Sequence, residues 1–252
     1  MTSAKAEWYS IWMDYYPIFV DIKGKNVLVV GGGVVAERKV MGLIKAGAIV
    51  TVISPTLTAG LKKITIKSNV KTKNNNKIKH IARRYKSGFL GGEVLPDDKK
   101  TNPRWFLVVS ATGSLAVSEA VSMDAEALGV LVNVADKPKL SNFILPAVVE
   151  RGALTIAIST SGQSPYLAKT IKDSLDENLP AGLETFIELV GKIRNKLLKS
   201  KTKNVIKSRV YALLMNSPVL GWIEEGDKKE INKFLKKILG KGWSLSTLGV
   251  KI

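Results

Sequence analysis

The segment Val29-Val30-Gly31-Gly32-Gly33-Val34-Val35-Ala36 carries spacing with a definite chemical use. Gly31, Gly33 and Ala36 fit the pattern G-x-G-x-x-A. The first glycine permits a tight turn, and the second lets backbone approach a pyrophosphate with no side chain in the way. The small third residue lets a helix pack close to a sheet. A helix opening at Val34 would aim its unsatisfied N–H groups and the positive end of its dipole at the phosphates. The pattern means a dinucleotide only where it follows a buried strand and opens a helix. Gly31, Gly33, Val34 and Val35 are therefore candidate cofactor contacts. Ser54 and Pro55 are two more, because an acid about 20 residues downstream would ordinarily bind the ribose hydroxyls of NAD. Here that place is neutral. Ser54 can still hydrogen-bond a ribose, and it does not repel a 2′-phosphate, so the residues alone leave NAD and NADP both open.

Other chemistries are excluded by composition. The chain has no cysteine, so disulfides, thiolate metal sites and a cysteine nucleophile are ruled out. That composition is compatible with a reducing cytoplasm. His80 is the one histidine, and it reads as a surface or packing residue within a basic stretch. No zinc pattern, hydrolase constellation or Walker-type phosphate loop is present, and no metal ligands are expected. No run approaches the roughly 20 apolar residues of a membrane span. Met1 to Tyr16 carries Glu7 and Asp14 among its aromatics and is not a secretory leader. Trp8, Trp12 and Tyr15/Tyr16 recur at helical spacing, which predicts a short amphipathic helix packed on the body of the protein.

The net charge of +18 is unevenly spread. Lys62 to Lys86 holds ten Lys/Arg and Lys192 to Arg209 holds eight, with no acid in either run. These runs are either a solvated basic face or a surface for a polyanion such as nucleic acid, a membrane or a small polycarboxylate.

These residues need elements to position them. Asn26 to Val30 is a short apolar run that predicts a buried strand. Val34 to Ala46 has helical spacing and ends at Gly47, and Ile49 to Ile53 is β-branched and reads as a second strand, stopped by Ser54-Pro55. Lys62 to Asn76 is polar and reads as a loop or frayed hairpin. Ile78 to Ala82 reads as an edge strand, Asp97 to Arg104 as a loop, and Trp105 to Val109 as a buried strand. Ser114 is a candidate N-cap for a helix to about Leu128, and Val130 to Val134 is the next strand. The alternation predicts an α/β, Rossmann-type, doubly wound parallel sheet over residues 1–145. Beyond Pro146 one strand, Leu154 to Ile158, precedes a helix start at Ser164-Pro165. Helical patterning then runs to the end, with breaks at Pro180, Asn216–Pro218 and Gly240–Gly242.

The ordered motifs Gly31-Gly32-Gly33-Val34-Val35-Ala36-Glu37-Arg38-Lys39, Asn133-Val134-Ala135-Asp136-Lys137-Pro138, Asn142-Phe143-Ile144-Leu145-Pro146 and Ser159-Thr160-Ser161-Gly162-Gln163-Ser164-Pro165 resemble a known family. It is that of precorrin-2 dehydrogenase / sirohydrochlorin ferrochelatase, which includes the N-terminal module of sirohaem synthases. The likeness runs from about residue 15 to 200. It implies oxidation of precorrin-2 to sirohydrochlorin with NAD as hydride acceptor, and in some members iron insertion. It implies a cytoplasmic homodimer with a Rossmann domain (1–145), a dimerisation region (146–178) and a helical C-terminal domain (179–252).

The family's key aspartate matches Asp136, at the carboxyl end of the sheet, where ligands of open α/β folds bind. A carboxylate there can accept the proton lost alongside the hydride; it could equally cap the turn into Lys137-Pro138. Thr112, after the strand that follows Trp105, is a candidate cofactor contact. Relatives often follow it with an acid, where this chain has Gly113. Asn133 either positions a ligand or satisfies a strand end. Ser159, Ser161 and Ser164 precede a helix N-terminus suited to a substrate carboxylate, though Ser164 could simply cap. The basic face suits a polycarboxylate tetrapyrrole. Iron insertion would rest on Asp136 alone. The competing reading is a nucleotide-sensing Rossmann module that binds nucleic acid through the basic runs, and these lack aromatic interleaving or a recognisable motif. No membrane partner is expected.

Overall fold

The computed structural model describes residues 15–69, 78–92, 104–199 and 204–252. The expected N-terminal helix and the loops at Asn74–Asn76 and Asp97–Arg104 lie outside them, apart from Tyr15, Tyr16 and Arg104. The described chain divides into two compact units, one up to Leu145 and one from Pro146.

In the first unit β1 (Asn26–Val30), α1 (Val34–Lys45) and β2 (Ile49–Ile53) follow one another without interruption. α2 (Ala59–Asn69), β3 (Ile78–Ile81), β4 (Leu107–Ser110), α3 (Leu115–Ala127) and β5 (Leu131–Val134) complete it. All neighbouring strands are parallel, in the order β3-β2-β1-β4-β5, so β3 and β5 are edges and β1 is central. The strands read as continuous apolar runs because both faces are covered. Val27 and Val29 join Ala36, Val40, Val52 and Leu61 in one core. Leu28 and Val30 point the other way, to Phe89, Trp105, Val121, Ala125 and Val132. Period-2 geometry thus builds two cores from one strand. Each fully buried Val or Leu contributes roughly 1.5–3 kcal/mol relative to exposure.

One expectation is overturned here. Lys62–Asn69 is helical, not loop or hairpin, and belongs to α2. Its polar composition hid two anchors. The Thr58 hydroxyl accepts the Leu61 N–H at 3.2 Å, as an N-cap does, and Leu61 is fully buried against the sheet. One buried residue and one cap are too little for a periodicity signal but enough once a sheet is there to receive them.

The second unit begins with β6 (Ala147–Arg151) and β7 (Leu154–Ile158), an antiparallel hairpin in which Ala147 faces Ile158. β6 went unread in the sequence, since only Val149 is buried in it. α4 (Pro165–Asn178) packs on the hairpin. α5 (Leu183–Lys199), α6 (Asn204–Met215), α7 (Val219–Glu225), α8 (Lys228–Leu239) and α9 (Leu245–Leu248) enclose a separate core. Leu189, Ile193 and Leu197 supply it from α5 at the i, i+4, i+8 spacing of one helix face. Gly226 and Asp227 add a break between α7 and α8, where the Asp227 carboxylate caps α8 by accepting the Lys229 and Glu230 N–H groups. No described helix is long and apolar enough to cross a membrane.

Candidate functional site

In the first unit the carboxyl edge of the sheet gathers Gly31 after β1, Ser54 after β2, Thr112 after β4 and Asp136 after β5. Gly31 has φ +123°, and a Cβ there would lie 2.2 Å from the Ala111 carbonyl oxygen. A Cβ on Gly32 would lie 1.9 Å from the Thr56 carbonyl oxygen. These two glycines are squeezed between the loops after β4 and β2. Gly33 differs. It has an ordinary extended φ of −84° and is the N-cap of α1 without any side-chain cap. A Cβ on it would meet nothing within 4 Å. Val34 and Val35, the next two residues, are both exposed. A helix start leaves its first N–H groups without intrahelical partners, and the space around Gly33 is open. Open space over Gly33 together with unspent donors fits a dinucleotide pyrophosphate.

Ser54 is buried, and its hydroxyl oxygen sits 2.8 Å from where a Gly32 Cβ would be. It therefore lies against the glycine turn, at the end of the second strand where a ribose acid would stand. Its N–H donates to the Ile81 carbonyl, and its own carbonyl is 2.9 Å from His80 Nε2. His80 is thus a packing residue that ties the edge strand to the cofactor edge. Pro55 is exposed beside it. Thr112 adjoins Gly31 through its backbone nitrogen, and its hydroxyl accepts the Ser114 N–H at 3.3 Å. Ser114 in turn caps α3 by accepting from Val117 N.

Asp136 is exposed and has φ +59°, a left-handed conformation uncommon outside glycine. The turn is held by Ala135 N donating to the Ser110 carbonyl and by Lys137 N donating to the Val134 carbonyl. At the edge of the sheet the turn leaves Asp136 exposed. Lys39, half-buried on α1, interacts with it. Burial pushes the Lys39 ammonium below the usual lysine range, Arg38 adds to that, and Asp136 pulls it back up. Asn133 is buried, and its amide donates to the Phe143 carbonyl at 3.0 Å, so that donor is spent on a strand-end contact.

Ser159, Ser161 and Ser164 belong to the second unit. Ser161 has φ +51°, and its N–H donates to the Ser159 hydroxyl. Ser164 N donates to the Thr160 hydroxyl, while the Ser164 hydroxyl accepts Leu167 N at 3.3 Å. Ser164 is a working N-cap. Glu37, Thr58 and Lys39 were not singled out as site residues in the sequence. Glu37 and Thr58 stand 21 positions apart and meet only through the fold. Among the described residues no cluster of three potential metal ligands occurs.

The parallel sheet, the glycine turn and the uncapped helix define a dinucleotide-binding Rossmann protein. Residues 18–147 match the model of a putative NAD(P)-binding family, and residues 151–178 match the sirohaem biosynthesis protein central family. The chain belongs to this putative NAD(P)-binding family. It is 32% identical over 233 residues to siroheme synthase 2 of Aeromonas salmonicida, covering 92% of this chain and 44% of that protein. With the siroheme synthase of Vesicomyosocius okutanii it shares 37% identity over 199 residues, covering 79% and 38%. The chain thus spans less than half the length of these curated relatives. A solved structure titled "SirC, precorrin-2 dehydrogenase" superposes with a TM-score of 0.67 at 25% identity, over 89% of this chain and 98% of that one.

Proposed function

We propose that this protein is a precorrin-2 dehydrogenase that oxidises precorrin-2 to sirohydrochlorin in sirohaem biosynthesis, with NAD as its cofactor. The observation that carries the reading is the shared edge: an open, uncapped helix start at Gly33 after β1 and an exposed, left-handed Asp136 after β5 lie at the same carboxyl edge of the sheet, with β4 between their strands. The likeness to a precorrin-2 dehydrogenase over nearly all of that protein's length supports it.

When bound, the nicotinamide supplies the hydride acceptor. Gly31, Gly33 and the N–H groups of Val34 and Val35 hold the pyrophosphate, Ser54 and Pro55 border the ribose, and Thr112 borders the cofactor from the β4 side. Asp136 accepts the proton that leaves the substrate as the hydride departs, so one carbon loses hydride and another position loses a proton. Asn133 supports the loop that follows β5, and the Ser159–Ser164 loop offers hydroxyls to a substrate carboxylate. The basic surface attracts the polycarboxylate tetrapyrrole and raises its rate of encounter. Iron insertion would still rest on Asp136 alone.

The proposal includes a cytoplasmic homodimer formed through residues 146–178. In that region only Val149 and Ala168 are buried, while Tyr166 is 81% exposed and Leu167 49% exposed. Apolar side chains at this density on one small hairpin-and-helix layer suit burial against a second copy.

The test is anaerobic turnover of precorrin-2 with NAD, followed by NADH absorbance and the sirohydrochlorin spectrum. Asp136→Ala should lower kcat by about 10³-fold, within the usual range for a lost general base, while NAD binding stays intact. Full activity in that variant would remove Asp136 from the chemistry. Turnover with NADP at a higher kcat/KM than with NAD would reverse the cofactor assignment.

A further inference from the structure

The sequence has no acid at the end of β2, yet the fold brings one to the loop that follows. Glu37 lies in the first turn of α1, and its Oε2 accepts the Thr58 hydroxyl at 2.5 Å. Its other oxygen sits where a Cβ on Gly60 would be, 1.8 Å away, so a methyl there would push the carboxylate aside. Thr58 is engaged on two further sides. Its N–H donates to the Gly32 carbonyl at 2.9 Å, and its hydroxyl accepts Leu61 N at 3.2 Å.

The loop Ser54–Thr58 is therefore fastened at both ends. Ser54 is held by Ile81 and His80, and Thr58 by Gly32 and Glu37. Both ends lie against the glycine turn, and the Thr58 end is hydrogen-bonded to it. A hydrogen bond to a charged acceptor is stronger than a neutral one, and a loop fixed in advance spares the ordering cost that binding would otherwise impose.

We propose that Glu37 is a positioning residue for the dinucleotide: through Thr58 it holds the Ser54–Thr58 loop against the glycine turn, so that Ser54 meets the adenosine ribose already in place. This rests on the dinucleotide reading given above. Glu37 itself does not touch the cofactor.

The experiment is NAD binding to the full chain by calorimetry, with the melting temperature of each variant measured without NAD. Glu37→Ala and Gly60→Ala should each raise Kd about tenfold, and Glu37→Gln, which keeps an acceptor for Thr58, should stay within about twofold of the parent. Gly60→Ala is the safeguard against misfolding, since alanine is the better helix former and only displaces the carboxylate. In turnover the loss should fall on KM for NAD, with kcat kept. A parent chain that binds no NAD overturns both the dinucleotide reading and this one. Parent-like affinity in folded Glu37→Ala and Gly60→Ala overturns the role of Glu37 alone, as does a Glu37→Gln variant as weak as Glu37→Ala.

Discussion

Two helix starts in this chain, α1 and α4, follow a strand through a loop of small residues, yet they treat their free N–H groups in opposite ways. α1 begins at Gly33, which has no side chain to spend on them, and the space above it is open. α4 begins at Ser164, whose own hydroxyl accepts from Leu167 N, behind a loop already laced by Ser159 and Thr160. The dipole is the same at both ends. The difference lies in whether the protein satisfies its own donors. A start that must receive an anion leaves them unspent, whereas a capped start has less to offer and gains stability instead. The glycine turn thus leaves its donors unspent, and the serine loop spends its hydroxyl on its own helix.

Three substitutions press on that difference, in falling order of effect. Gly31→Val should be the most damaging, because a branched side chain must enter positive φ and a 2.2 Å approach to the Ala111 carbonyl. A loss of about 3 kcal/mol or more in unfolding free energy is expected, read by urea denaturation, together with loss of NAD binding. Gly33→Ala should separate binding from folding. Its φ suits any residue and its Cβ meets no protein atom, so stability should fall by no more than about 0.5–1 kcal/mol, the difference between glycine and alanine as N-caps. NAD affinity should nonetheless fall at least about tenfold, as the methyl occupies pyrophosphate space. Unchanged affinity there would mean that the open space is not the cofactor's. Ser164→Ala should do the reverse: about 1 kcal/mol of stability lost with the cap, and NAD affinity untouched. A large drop in precorrin-2 affinity in that variant, with little change in melting, would show that the serine loop is a ligand site after all.

Legibility in the sequence followed the same divide between local and distant causes. β1, α1 and β2 were readable because each is a continuous signal: buried apolar runs, a glycine turn and helical spacing within some thirty residues (roughly one βαβ unit). Ser114 and Ser164 were readable as caps because a cap acts three residues away. β6 was hidden because a hairpin strand with only Val149 buried owes its existence to pairing with β7, which no local pattern records. α2 was hidden because a lysine-rich helix needs Leu61 in a core that the sheet supplies.

By itself, then, the order of residues determined that a dinucleotide turn opens the fold and that an aspartate follows its last parallel strand, since both are matters of short spacing. Only the tertiary structure decided what surrounds them. It stood Asp136 in a left-handed turn beside Lys39, spent Asn133 on Phe143, and closed Glu37 over Thr58. The physical reason is that hydrogen bonds act only at about 3 Å and exposed charges within a Debye length of roughly 10 Å. Residues far apart in the chain act on one another only after the sheet has brought them within that range.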